Sequence, residues 1–158
     1  MNIKTTKGDL LEFYNDSDCD VIAHCCNCQG VMGSGIALQI KEEIPGAYLA
    51  YKQHEQDAGG LFLGTISVFI DDKTKAIVNL HAQNLYGYDG SRFVNYEALY
   101  ETLRQTKNLM ETKGFKTLGV PYKMACDRAG GDWRIVMAML ETIFENSDID
   151  ILVVEYAK

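Results

Sequence analysis

Between Asp20 and Ala37 the chain reads Asp20-Val21-Ile22-Ala23-His24-Cys25-Cys26-Asn27-Cys28-Gln29-Gly30-Val31-Met32-Gly33-Ser34-Gly35-Ile36-Ala37. An apolar strand passes through sulfur and amide side chains into a glycine-rich turn, and an amphipathic helix follows. Gly30, Gly33 and Gly35 allow a backbone to come close to a ligand, because no Cβ stands in the way. The helix start at Ser34 to Ile36 points unpaired N–H groups into the same space, an arrangement that favours a phosphate. Strand, glycine loop and helix in this order is how an α/β protein builds a nucleotide site.

With 158 residues the chain is expected to form one domain, 1–158, with a core of its own. No apolar run approaches the ~20 residues of a membrane span, so no membrane partner is expected. Met1-Asn2-Ile3-Lys4 lacks an apolar signal segment, which makes the cytoplasm the expected location. The net charge of -7, with lysines and arginines scattered among 22 acids, argues against general nucleic-acid binding. A small anion stays open as a ligand, because backbone amides and helix termini hold phosphate without net positive charge. Nothing in the sequence asks for a second copy, and a monomer is expected.

Five cysteines, three of them at Cys25, Cys26 and Cys28, do not form a disulfide framework. His24, Cys25 and Cys28 carry zinc-ligand chemistry, but structural zinc draws on two separated ligand pairs, and Cys19 and Cys126 stand alone. Reduced thiols packed at a strand end, with no metal and no cofactor, are the expectation.

Strands are expected at Ile3 to Thr6, Val21 to His24, Leu63 to Ile70, Ala76 to Leu80, Thr117 to Val120 and Ile149 to Tyr156. Leu10 to Phe13 reads as a bend after the first strand. Ile36, Ile40 and Ile44 mark one helical face, ended by Pro45-Gly46, and Tyr48 to His54 reads as a further short helix with His54 on its surface. Helices are also expected from Tyr96 to the Lys113-Gly114 stop, and from Trp133 through Val136, Met137, Leu140 and Phe144. The sum is an α/β chain folded as a three-layer α/β/α sandwich around a mixed central sheet.

In such sheets ligands sit beyond the carboxyl ends of the strands. Three loops leave strands there with unusual residues: His24 to Gly35; His81-Ala82-Gln83-Asn84 continuing to Tyr86-Gly87-Tyr88-Asp89-Gly90; and Pro121 to Trp133. Together with Gly8-Asp9-Leu10, the strand end His24-Cys25-Cys26-Asn27, the loop Gly30 to Ala37, and Pro121-Tyr122 with Ala129-Gly130-Gly131-Asp132-Trp133, the chain resembles a macro domain. Asn79-Leu80, Gln83 and the Tyr86 to Gly90 segment resemble the branch containing ADP-ribose-1″-phosphate phosphatases. The resemblance runs over nearly the whole chain, in order.

It implies ADP-ribose or a derivative, including an ADP-ribosylated protein, as the partner. Asp9 matches the acid that accepts from the adenine amino group, with Leu10 beside it. Asn27 matches the asparagine on the distal ribose, and Gly30, Val31, Met32, Gly33, Ser34, Gly35 and Ile36 match the loop over that ribose and the diphosphate. Pro121 and the run Met124, Ala125, Cys126, Asp127, Arg128 and Ala129 match the opposite wall. Tyr156 is placed against the adenine. The residues agree in their own chemistry: a carboxylate only accepts hydrogen bonds, so Asp9 favours an amino-bearing base.

Phosphatase-type relatives commonly carry Gly-Cys-Gly-Leu where this chain has Ala125-Cys126-Asp127-Arg128. Arg128 offers a charge-assisted contact to phosphate, and Asp127 offers a general base or a repulsion of a terminal phosphate. The deacylating branch uses a lysine after the middle strand, where this chain has Gln83, which cannot form a covalent ribose adduct. The expected function is therefore metal-independent hydrolysis of a substituent on the distal ribose. Asn27 would orient the sugar, and His24 or Asp127 would activate water. The alternative is a module that reads or sequesters ADP-ribose without turning it over.

Overall fold

The computed structural model describes residues 1–72, 74–84, 93–126 and 129–157. The elements run β1 (Ile3–Gly8), α1 (Leu10–Asn15), β2 (Val21–Asn27), α2 (Gly35–Glu43), α3 (Pro45–Ala58), β3 (Thr65–Asp71), β4 (Lys75–Gln83), α4 (Tyr96–Lys113), β5 (Thr117–Pro121), α5 (Trp133–Phe144) and β6 (Asp150–Tyr156). The strands form one sheet of order β1-β6-β5-β2-β4-β3, parallel except for β3, which pairs antiparallel with β4. This is the expected mixed sheet.

Strand alternation sorts the core into two layers. Val21, Ala23, Ile151 and Val153 pack with Leu99, Leu103 and Met110 of α4 and Val136, Leu140 and Phe144 of α5. Ile22, Ile77, Leu152 and Val154 face the other way, onto α1, Ile40 of α2 and Ala47 of α3. The anticipated Ile36, Ile40 and Ile44 face is the one that α2 buries. Among the described residues no helix is long and apolar enough to cross a membrane.

Two local expectations change. Leu10 starts a helix, not a bend, because Asp9 caps it by accepting the Leu11 N–H at 3.0 Å. Pro45 opens α3 at its first turn, where its missing N–H costs nothing, so the helix begins well before Tyr48.

Candidate ligand site at the carboxyl edge of the sheet

The parallel strands end side by side at Gly8, Tyr156, Pro121, Asn27 and Gln83. At the β1 end a cleft of about 610 Å³ is lined by Lys7, Gly8, Asp9, Glu12, Tyr156 and Ala157. The Ala157 N–H donates to Gly8 O at 2.9 Å and holds the two strand ends together there. One Asp9 carboxylate oxygen caps α1, which leaves the other as an acceptor on the cleft. Tyr156 is 54% exposed, an open aromatic face beside that acceptor. Leu10 turns its side chain into the core.

The glycine loop lies after β2. Asn27 is largely buried and organises the loop with its own amide. Its Oδ1 accepts N–H bonds from Gln29 at 3.0 Å and Val31 at 3.3 Å, and its Nδ2 donates to Val31 O at 2.7 Å. From α3, Lys52 Nζ donates to Gly30 O at 3.3 Å while paired with Glu55 at 2.6 Å. Gly30 has φ +80, a conformation that favours glycine, while a Cβ there would meet only the movable ends of the Lys52 and Glu55 side chains. Met32 is buried against Cys26, Tyr51 and Leu61 and anchors the loop, whereas Val31, Gly33 and Gly35 are exposed.

Ser34 then caps α2 in an extended conformation without a side-chain hydrogen bond to the helix. The starts of α1, α4 and α5 differ, each capped by its own Asp9, Asn95 or Asp132. The first-turn amides of α2 therefore point out of the loop without a capping acceptor, as an anion site requires.

His24 does not join this surface. It is fully buried, and its Nε2 lies 2.7 Å from Asn79 Oδ1. Asn79 Nδ2 donates to Ala47 O at 3.1 Å and Ser67 Oγ at 3.0 Å, so its oxygen can only accept and His24 carries its proton on Nε2. The chain of bonds continues to His81, whose Nε2 lies 2.9 Å from Ser67 Oγ and whose Nδ1 lies 2.8 Å from Thr65 Oγ1. Thr65 donates to Phe62 O at 2.7 Å, which leaves its oxygen to accept from His81 Nδ1–H. Burial drops His24 to about 4 against the favourable Asn79 contact, and burial with His54 and His24 nearby drops His81 to about 3. Both rings are neutral. His24, expected to activate water, has its Nε2 bonded inside the sheet, beneath α3. His54 is half-buried with its ring 5.0 Å from that of His81, not on the open surface.

The second wall follows β5. Its backbone carries the unusual feature: Lys123 at φ 60 and Ala125 at φ 66 are left-handed without being glycine. Each such residue costs on the order of 1 kcal/mol, so the surroundings must impose it. The turn closes through Met124 N–H to Pro121 O at 3.0 Å, Cys126 N–H to Lys123 O at 2.9 Å and Gly131 N–H to Ala125 O at 2.8 Å. Met124 is buried, so its side chain faces inward. Behind it, Trp133 packs edge-on against Tyr122 at 5.4 Å, and the Asp132 N–H donates to the Tyr96 hydroxyl at 2.9 Å. Ala129 O accepts from the Phe93 and Val94 N–H groups at 2.7 and 3.0 Å. The Cys126 thiol, pushed up to about 11 by burial and by Asp132 despite Lys123, stays protonated and donates to Met124 O at 3.2 Å. Asp127, Arg128 and the Tyr86 to Gly90 segment lie outside the described residues.

Among the described residues no group of three or more His, Cys, Asp or Glu side chains is arranged to hold a metal. Burial raises the thiols of Cys25, Cys26 and Cys28. Tyr51, Lys52 and Ser67 support the site without having been nominated by the sequence, whereas His81, singled out in the loop after the middle strand, lies buried beneath it. Asn79, a polar residue inside the apolar strand Ala76 to Leu80, carried the one readable signal, because a buried amide needs partners.

Known proteins resemble this chain in sequence and fold. The family model described as Macro domain matches residues 23–140. An uncharacterized 17.5 kDa protein of Enterobacteria phage T4 is 29% identical, over 99% of this chain and 97% of its own length. An ADP-ribose 1''-phosphate phosphatase of Scheffersomyces stipitis is 44% identical over 36% of this chain, which spans 34% of that protein. A DNA ADP-ribosyl glycohydrolase of Mycobacterium tuberculosis is 27% identical over 92% of this chain and 40% of its own length. The solved macrodomain of DarG from the same organism superposes with a TM-score of 0.79 at 24% identity, over 96% of each chain.

Proposed function

The chain belongs to the macro domain family, and on that premise we propose that it binds ADP-ribose along the carboxyl edge of its sheet and hydrolyses a substituent on the distal ribose. The reading is an ADP-ribose-1″-phosphate phosphatase or a related ADP-ribosyl hydrolase. The order of groups along the edge carries it. From β1 to β2 the edge presents the Asp9 acceptor, the Tyr156 ring, the backbone wall after Pro121, and the glycine loop with Asn27. That order matches adenine, diphosphate and second ribose in turn. Three strand spacings, about 14 Å, suit such a ligand laid lengthwise.

In this arrangement Asp9 accepts from the adenine amino group and Tyr156 packs on the ring. The α2 amides and the wall from Met124 to Ala129 hold the diphosphate by electrostatics that need no net positive charge. Asn27 orients the distal ribose. With His24 enclosed, Asp127 is the carboxylate assigned to activating water, and positioning supplies much of the rate. The substituent removed is a phosphate or a group on a modified protein. Phosphate release from ADP-ribose-1″-phosphate by the purified protein in chelator tests the reading. Turnover no higher than that of the Asn27→Ala variant sinks it.

The enclosure of His24 and the presence of Gln83 in place of a lysine support a second reading, a module that captures ADP-ribose without product. Calorimetry separates the two: tight binding, weakened by Asp9→Ala and accompanied by no release, favours the reader.

A further inference from the structure

The orientation of the Asn27 amide is set by chemistry, not by shape alone. The Gln29 and Val31 N–H groups can only donate, so the atom that faces both is the oxygen. A further donor arrives from α3: the single proton of the Tyr51 hydroxyl is shared between the Asn27 carbonyl, its nearer acceptor, and Asn27 Oδ1 at 3.0 Å. Tyr51 is fully buried, its ring lies 5.6 Å from that of His81, and the Gly30 backbone bonds back to its oxygen. One phenol thus touches Asn27 twice and Gly30 once, at the root of the glycine loop. Asn27 Oδ1 is saturated, and one of the two Nδ2 protons is spent on Val31 O.

We infer that Tyr51 is a positioning residue, which locks the Asn27 amide so that it offers a single outward N–H donor to an acceptor oxygen of the distal ribose. The inference rests on the ADP-ribose reading above for its ligand and on the hydrogen-bond geometry for its mechanism. Without the hydroxyl, Oδ1 keeps only local backbone partners and the loop samples other arrangements. Ordering it again then falls to the ligand, at a cost in affinity. The loss concerns the distal sugar alone, since Asp9 and Tyr156 sit at the other end of the edge.

Tyr51→Phe, compared with wild type for ADP-ribose and for ADP, which lacks the second ribose, reads this difference. ADP-ribose is expected to bind at least tenfold more weakly, with ADP changed less than twofold. The Gln29 and Val31 amides of the free protein should exchange at least tenfold faster. Equal weakening of both ligands, which a general structural loss would produce, overturns the inference, and so does no change in either. If wild type binds neither ligand, the ADP-ribose reading fails, and the exchange rates alone decide whether Tyr51 locks Asn27: unchanged protection overturns it. Should the variant not fold, the Asn27 side-chain amide resonances of wild type provide the test. One proton should be protected and one open, with the open one protected by ADP-ribose and not by ADP. Two equally open protons overturn the assignment.

Discussion

The two loops proposed as walls of the ligand site take their shape by opposite routes. The glycine loop after β2 has a permissive backbone, and side chains from elsewhere hold it: Tyr51 and Lys52 from α3, with α3 itself tied to the sheet by Asn79 on Ala47 O. The wall after β5 takes its shape from the backbone, with Lys123 and Ala125 forced left-handed and Gly131 pressed under the Ala125 carbonyl. A flexible segment with external clamps responds to whatever disturbs the clamps. A strained segment responds to changes in its own residues. The walls should therefore fail under different perturbations, and that difference can be tested.

Acid gives the largest expected separation. His24 and His81 lie below the ordinary 6.5, at about 4 and about 3, chiefly through burial. As pH falls, the unfolded chain takes up these protons first, so their contribution is complete above about pH 7 and is lost through 6.5 toward those lower values. Two such groups remove about 4 kcal/mol between pH 7.5 and 5, at up to about 1.4 kcal/mol per pH unit each. Urea midpoints across that range measure it, and His81→Gln should flatten the slope by about half. The Gly30 and Val31 amides should lose protection before those of Met124 and Cys126. A flat stability profile, or simultaneous loss at both walls, contradicts the division.

Asn79→Ala strikes the same clamp at neutral pH. It removes the acceptor of His24 Nε2–H and the donor to Ser67 and Ala47, leaving buried groups unpaired. The expected loss is about 3 kcal/mol in chemical denaturation. A loss under about 1 kcal/mol means that α3 is anchored by packing instead.

How far these features could be read beforehand follows the same line. The layers rest on apolar periodicity, so the Val21 to His24 strand, the Ile36-Ile40-Ile44 face and the terminal strand were all legible. Asp9 was legible as a carboxylate after a turn, but its cap on Leu11 depends on a helix too short to show a period. The clamps were not legible: Tyr51 meets Asn27 across 24 positions, and only the fold brings them together. Likewise, a left-handed Ala125 leaves no mark in a sequence, because that conformation is ordinarily signalled by glycine.

Gly131→Ala perturbs the second wall alone. The added Cβ would stand 2.5 Å from the Ala125 carbonyl oxygen, a backbone atom that cannot swing aside. A loss of about 2 kcal/mol is expected, together with weaker ADP-ribose binding and unchanged exchange at Gln29 and Val31. Faster exchange at those two amides would couple the walls and blur the contrast.

The smallest effect has the opposite sign. Ala125→Gly relieves a left-handed alanine, worth on the order of 1 kcal/mol, but makes the unfolded chain more flexible, which returns about half of that. Thermal unfolding should show a stabilisation of a few tenths of a kcal/mol, near the limit of measurement. Binding carries the sharper reading. If strain at Ala125 keeps the second wall shaped for a diphosphate, the glycine variant gains stability yet binds ADP-ribose more weakly, since the loop must now be ordered by its ligand. If binding instead tightens along with stability, the left-handed alanine is a burden the fold tolerates, and shape at this wall comes from Gly131, Trp133 and Tyr122 behind it.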